Sequence, residues 1–164
     1  MFIDEIKKIC SNYNRVAFFI DMDGTIVEYK VFENENELVE AHKNLLDEKP
    51  LLPIINILKE INKLPNIDLY ILSLAKNTQI KEEKKQWLNK YASFIKPNNW
   101  IILNKEANEY NSENRDYIKY SQMEQKLKEY DYEILLDDDH KILKVAKQNL
   151  QKKGKVFHIS STLV

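Results

Sequence analysis

Cysteine, glycine and histidine are scarce in this 164-residue chain, and each scarcity narrows its chemistry. Cys10 is the only cysteine, which excludes an intramolecular disulfide, a thiolate metal cluster and a two-cysteine redox motif. On a predicted helix, that lone thiol is expected to serve packing. The three histidines, His42, His140 and His158, show no metal-ligand spacing, so surface or packing roles are expected of them. No run of about 18 apolar residues could span a bilayer. The opening Met1-Phe2-Ile3-Asp4-Glu5 lacks the basic-then-apolar order of a signal peptide, so the cytoplasm is the expected compartment. A net charge of -1 gives no bulk attraction to nucleic acid or membrane. Only Gly24 and Gly154 break the glycine drought, which makes their positions informative.

What is present is an alternation of two periodicities. Short apolar runs at Val16–Ile20, Leu69–Leu72, Trp100–Leu103, Ile134–Leu136 and Val156–Ile159 are too short for helices and read as buried strands. Between them, Leu51–Leu64, Thr78–Ala92, Ser121–Glu129 and Ile142–Lys152 carry helical spacing, and Phe2–Ser11 adds a leading helix. Strands alternating with helices predict an α/β fold, a parallel sheet of about five strands covered on both faces. With no linker-like stretch and no internal repeat, residues 1–164 are expected to form one domain. Two polar stretches stand apart, Glu28–Lys49 and Lys105–Tyr120.

The first predicted strand runs straight into Asp21-Met22-Asp23-Gly24-Thr25. Ligands of open parallel sheets bind beyond the carboxyl ends of the strands, where these aspartates fall. On extended backbone, residues two apart point the same way, so Asp21 and Asp23 can share a crevice while Met22 turns aside. Gly24 permits positive φ or a close backbone approach. Carboxylates this close repel one another unless a cation lies between them, and a hard, oxygen-seeking ion such as Mg²⁺ suits the need.

Phe19-Ile20-Asp21-Met22-Asp23-Gly24-Thr25 resembles the first motif of the haloacid dehalogenase-like (HAD) phosphohydrolases. Two further elements of that family follow in order: Ser73 after Leu69–Leu72, and Asp137-Asp138-Asp139 after Ile134–Leu136. The resemblance implies a three-layer Rossmann-like domain with Asp21 as nucleophile and Asp23 as proton carrier. It implies a metal held by Asp21, the Asp23 backbone carbonyl and Asp138, with Asp137 behind them and Asp139 capping the next helix. The Ser73 hydroxyl and the Leu74 backbone N–H would meet a phosphoryl oxygen.

The family also needs a basic residue. Lys84 is four residues from both Ile80 and Leu88, on or beside the buried stripe of its helix, where a lysine must snorkel outward or meet an anion. Lys81 and Lys85 reach water more readily. Lys84-Lys85-Gln86-Trp87-Leu88 resembles the Lys-x-x-Trp segment of the 5′-nucleotidase and deoxyribonucleotidase branch, which favours Lys84 as a phosphate ligand. That branch carries a further lysine after the third strand. Asn104-Lys105-Glu106-Ala107 offers no clean match, and Lys105 or Arg115 is the expected substitute.

These motifs imply a Mg²⁺-dependent phosphatase acting through an aspartyl-phosphate on a small phosphomonoester, with a nucleotide as the expected partner. The alternatives are a nucleic-acid end-processing phosphatase, disfavoured by the balanced charge, and an idle phosphate-binding module, disfavoured by the presence of both Asp21 and Asp23. Glu28–Lys49 has room for only a very small cap, a helix around Glu37–Leu46, or a plain connector. Tyr110, Tyr117 and Tyr120 are candidates for stacking on a base.

Overall fold

The computed structural model describes residues 1–28 and 45–163. The central part of the expected cap, with His42, lies outside the described residues. Five strands form one parallel sheet: β1 (Val16–Ile20), β2 (Ile67–Ala75), β3 (Trp100–Asn104), β4 (Tyr132–Asp137) and β5 (Gly154–His158), in the spatial order β3-β2-β1-β4-β5. Every residue of β1 is buried, as an all-apolar central strand requires when both faces are covered.

Among the described residues, those covers are five α-helices: α1 (Phe2–Asn12), α2 (Leu52–Ile61), α3 (Thr78–Tyr91), α4 (Arg115–Lys126) and α5 (His140–Leu150). On one face, Phe2, Ile6, Ile54, Ile55, Leu58, Trp87 and Leu88 of α1, α2 and α3 pack on Phe18, Ile20, Ile71 and Leu136. On the other, Tyr120 and Met123 of α4 and Ile142, Leu143, Ala146 and Leu150 of α5 pack on Ala17, Phe19, Tyr70, Leu72 and Leu135. Period-two alternation along the strands splits the two cores, and the outcome is a three-layer α/β/α domain.

Helix starts follow local chemistry. Asn77 caps α3 by accepting from the Ile80 N–H at 2.8 Å, and Asp139 caps α5 by accepting from the Lys141 N–H at 2.9 Å. Element ends shift by up to three residues from the sequence expectation in several places, and two differences bear on the site. Strand β2 runs through Ala75, because Ser73 to Ala75 pair with Ile102 to Asn104 of β3. Helix α4 begins at Arg115, six residues before the apolar spacing announces it, so Tyr117 and Tyr120 belong to a helix and not to a loop.

The insertion is anchored at its base. The Glu28 N–H donates to the Lys49 carbonyl at 2.9 Å, Val27 bridges Pro50, and the Leu51 N–H donates to Ile26 at 2.8 Å. The Trp87 indole N–H adds a bond to the Glu48 carbonyl at 2.9 Å. Among the described residues, no helix is long and apolar enough to cross a membrane.

Candidate phosphoryl-transfer site

Strand order reverses at β1: the chain moves outward through β2 and β3, then returns to place β4 on the other side. The carboxyl ends of β1 and β4 therefore adjoin at a topological switch point, the usual ligand crevice of an open α/β sheet. Asp21 leaves β1 there, its N–H bonded to the Leu136 carbonyl at 2.9 Å, and Asp137 ends β4 beside it.

The turn after Asp21 is wound around one carbonyl. Met22 O accepts from the N–H groups of Thr25, Ile26 and Val27 at 3.1, 3.0 and 2.9 Å, and the Met22 side chain is buried in the core. Gly24 takes φ +74°, a left-handed conformation that side chains rarely adopt. A Cβ at that position would run into the Asp138 carboxylate, with its Cγ only 2.9 Å away. Gly24 thus supplies both the turn and the room for Asp138 to stand over it. Thr25 is buried and donates its hydroxyl to Asp21 Oδ2 at 3.3 Å.

Two lysines reach this crevice from opposite layers. Lys84 comes from α3, buried, and donates to Asp23 Oδ2 at 2.6 Å, Ser73 Oγ at 2.7 Å and the Leu74 carbonyl at 2.8 Å. Lys119 comes from α4, equally buried, and donates to Asp21 Oδ1 and Asp137 Oδ2, both at 2.6 Å. Asp137 Oδ1 also accepts from the Asp139 N–H at 2.9 Å, so its carboxylate is clamped from two sides.

Burial pushes the Asp21 carboxyl up to about 6, with Lys119 opposing and the charges of Asp137 and Asp23 adding to the rise. The Asp138 carboxyl is also raised, first by burial and then by the charge of Asp21. Burial tends to lower the Lys119 ammonium, but the Asp21 and Asp137 carboxylates outweigh it and hold that group above its ordinary value. Asp139 is also subject to burial that would raise it. Arg115 and the Lys141 and Ile142 amides prevail, and its carboxyl is lowered.

The donor set suits a hard divalent cation. Carboxylate oxygens of Asp21, Asp137 and Asp138 lie within 4.8 Å of one another. Four carboxylates, Asp21, Asp23, Asp137 and Asp138, face two ammoniums, leaving an excess of negative charge equal to one divalent ion. A dianionic phosphate ester would meet repulsion without that ion.

The sequence candidates divide cleanly. Asp21, Asp23, Ser73, Leu74, Lys84, Asp137 and Asp138 converge at the ends of β1, β2 and β4. The Leu74 carbonyl is the group engaged by Lys84. Lys105 is elsewhere, donating to Ser112 Oγ at 2.8 Å on the surface. Arg115 is at the start of α4, tied to Asp139 at 2.9 Å and Asp116 at 3.1 Å, and serves the capping aspartate of α5. Tyr110 is buried with its hydroxyl on the Ala75 carbonyl at 3.2 Å, and Tyr120 belongs to the core, so of the three tyrosines Tyr117 alone is exposed. His140 and His158 stack face to face with ring centroids 4.4 Å apart, and His158 Nε2 lies 3.2 Å from the Asp138 carbonyl.

Sequence reasoning missed Lys119. The signal was available: Lys119, Tyr120 and Met123 form one helical face once α4 is started at Arg115.

No family model matches the chain, and no curated protein matches it by sequence. Among solved structures, the HAD domain of effector protein Lem4 from Legionella pneumophila is similar, with a TM-score of 0.55 and 19% identity over 88% of this chain and 87% of that one. The resemblance of motif is thereby joined by a likeness of architecture across nearly the whole chain, and the fold is that of a HAD domain: a five-stranded parallel sheet between two helical layers.

Proposed function

We propose that this chain is a Mg²⁺-dependent phosphomonoester hydrolase that transfers the phosphoryl group to Asp21 and then to water, with nucleotide-like substrates. The observation that carries this reading is the clamp of Lys119 on Asp21 and Asp137 beside Asp138, at the switch point of the sheet. A buried carboxylate held by an ammonium at one oxygen is oriented before substrate arrives. The HAD-domain fold supports the same reading.

Asp21, Asp138 and the backbone carbonyl of Asp23 would hold the metal, with Asp137 as the alternative carboxylate already engaged by Lys119. The ion supplies charge neutralisation for the phosphoryl oxygens. An Asp21 carboxylate oxygen attacks phosphorus, and the bond from phosphorus to the ester oxygen breaks. The departing oxygen takes a proton from Asp23. In the second half, Asp23 takes a proton from water as that water attacks phosphorus. The bond to Asp21 then breaks, releasing inorganic phosphate and restoring both aspartates. Lys119 keeps its protons throughout and stabilises the ionised form of Asp21 at each turn of the cycle.

A nucleotide substrate is supported by the pairing of Lys84 with Ser73, the arrangement expected of a Lys-x-x-Trp helix, with Trp87 anchoring that helix in the core. Tyr117, exposed two residues before Lys119, is the tyrosine free to meet a base. The test is phosphate release from p-nitrophenyl phosphate with Mg²⁺, with EDTA, and with Asp21→Asn. Activity should require the metal and vanish in the variant; metal-independent turnover or an active Asp21→Asn protein refutes the mechanism. A panel of nucleoside monophosphates against 3′-phosphorylated oligonucleotides then separates a nucleotidase from an end-processing enzyme.

A further inference from the structure

The Lys84 ammonium has three protons, and all three are taken: by Asp23 Oδ2, Ser73 Oγ and the Leu74 carbonyl. The lysine is buried, so no fourth direction opens to water. A phosphoryl oxygen arriving beside Ser73 can be met by Lys84 only if one of these contacts yields. Ser73 and Leu74 belong to β2 and are fixed by pairing with Ile102 and Leu103 of β3. Asp23 lies beyond the end of β1, and its side chain is 49% exposed. It is the contact that can leave, and on leaving it gains water.

Resting on the phosphohydrolase reading above, we propose that Lys84 is a positioning residue that holds Asp23 in reserve and releases it when a phosphoryl oxygen takes its place. No covalent bond changes in the exchange. Lys84 keeps its three protons and redirects one hydrogen bond from a monoanionic carboxylate to a dianionic phosphoryl group, which attracts it more strongly. Without substrate, Asp23 is needed where it is, because a buried ammonium that loses its carboxylate is uncompensated. Substrate arrival therefore frees the Asp23 side chain to turn from Lys84 toward the ester oxygen and the solvent that supplies its proton. Lys84 thus has two successive partners, and phosphate and Asp23 compete for it.

Competition has a measurable signature in the affinity for inorganic phosphate, read by calorimetry with Mg²⁺ present. Asp23→Ala should tighten phosphate binding about tenfold, the worth of one charge-assisted hydrogen bond no longer contested. In a Lys84→Met background, the same Asp23→Ala change should alter binding less than about twofold. An equal gain in both backgrounds would mean that Asp23 acts by through-space repulsion alone, and the exchange is overturned. No gain with Lys84 present overturns it as well. A merely structural role for Lys84 would not move this coupling. If Lys84→Met fails to fold, Lys84→Gln, which keeps polarity but cannot give three charged bonds, takes its place in the cycle. If the unaltered protein fails to bind phosphate with Mg²⁺, the hydrolase reading falls first and the exchange with it. Phosphate binding without the coupling sinks the exchange alone.

Discussion

Among the described residues, Lys119 is a fully buried lysine that faces two carboxylates. Its ammonium is the buried counterion of two carboxylates, and removing it leaves both facing each other in the core. Lys119→Met should cost about 3–5 kcal/mol in a urea unfolding titration, the range found when one member of a buried ion pair is deleted. Adding Asp137→Asn should recover part of that loss, since one of the two orphaned charges is then gone; an unchanged double variant would show the clamp is not electrostatic. Gly24→Ala tests a different constraint. Its positive φ and the Asp138 carboxylate standing over it predict a loss of about 1–2 kcal/mol on thermal unfolding from the backbone alone. On the proposed hydrolase reading, phosphatase activity should fall as well, because Asp138 must move to admit the added Cβ. The aspartates and Ser73 were legible in the sequence because each follows an apolar run, Val16–Ile20, Leu69–Leu72 or Ile134–Leu136, although β2 itself continues to Ala75. Lys119 was not, because a lysine among Arg115, Lys126 and Lys128 looks like one more solvated charge until the helix is phased.

At the level of elements, strands proved easier to read than the segment between β3 and β4. Each strand contains a short β-rich apolar run, and all five stand where those runs lie. The start of α4 was hidden because its first turn, Arg115-Asp116-Tyr117-Ile118, is mostly polar and lies on the surface, so periodicity carries little signal there. Strand β4 holds a second surprise. Glu133 is fully buried, neither carboxylate oxygen has a hydrogen-bond partner among the described residues, and it stands between Ala17 of β1 and Gly154 of β5 in register. Two of the smallest residues make its space. Burial pushes its carboxyl from 4.5 up to about 8. A carboxyl raised by folding is held protonated by the native state, so the protein loses stability as pH rises from about 4.5 to about 8 and is level above that. Glu133→Gln should leave stability near pH 5 almost unchanged and raise it at pH 8 by on the order of 2–4 kcal/mol. Chemical unfolding at the two pH values checks this, and an equal gap at both would refute it.

Across the whole molecule, the balance of charge matters more than its total. The chain as a whole nets -1 while the crevice concentrates carboxylates, so a cation is the ligand that the crevice favours. A ligand that binds only the folded state raises its stability by mass action. Mg²⁺ should therefore raise the melting temperature of the unaltered protein in proportion to log concentration. It should do so far less for Asp138→Asn, which removes a donor and is half-buried at the site. Differential scanning fluorimetry reads both without any substrate. A melting temperature indifferent to Mg²⁺ would count against metal at this cluster.

The two lysines enter from helices on opposite sides of the sheet, Lys84 beneath one layer and Lys119 beneath the other. On the proposed phosphohydrolase reading, a chain with only one layer docked would have half its site: either Asp21 lacks Lys119, or Asp23 lacks Lys84. Activity, on that reading, would certify complete assembly. During refolding from denaturant, phosphatase activity should return with the last layer to dock, later than the helical signal and never before it. If the proposed activity holds, a partly folded molecule would carry none of it.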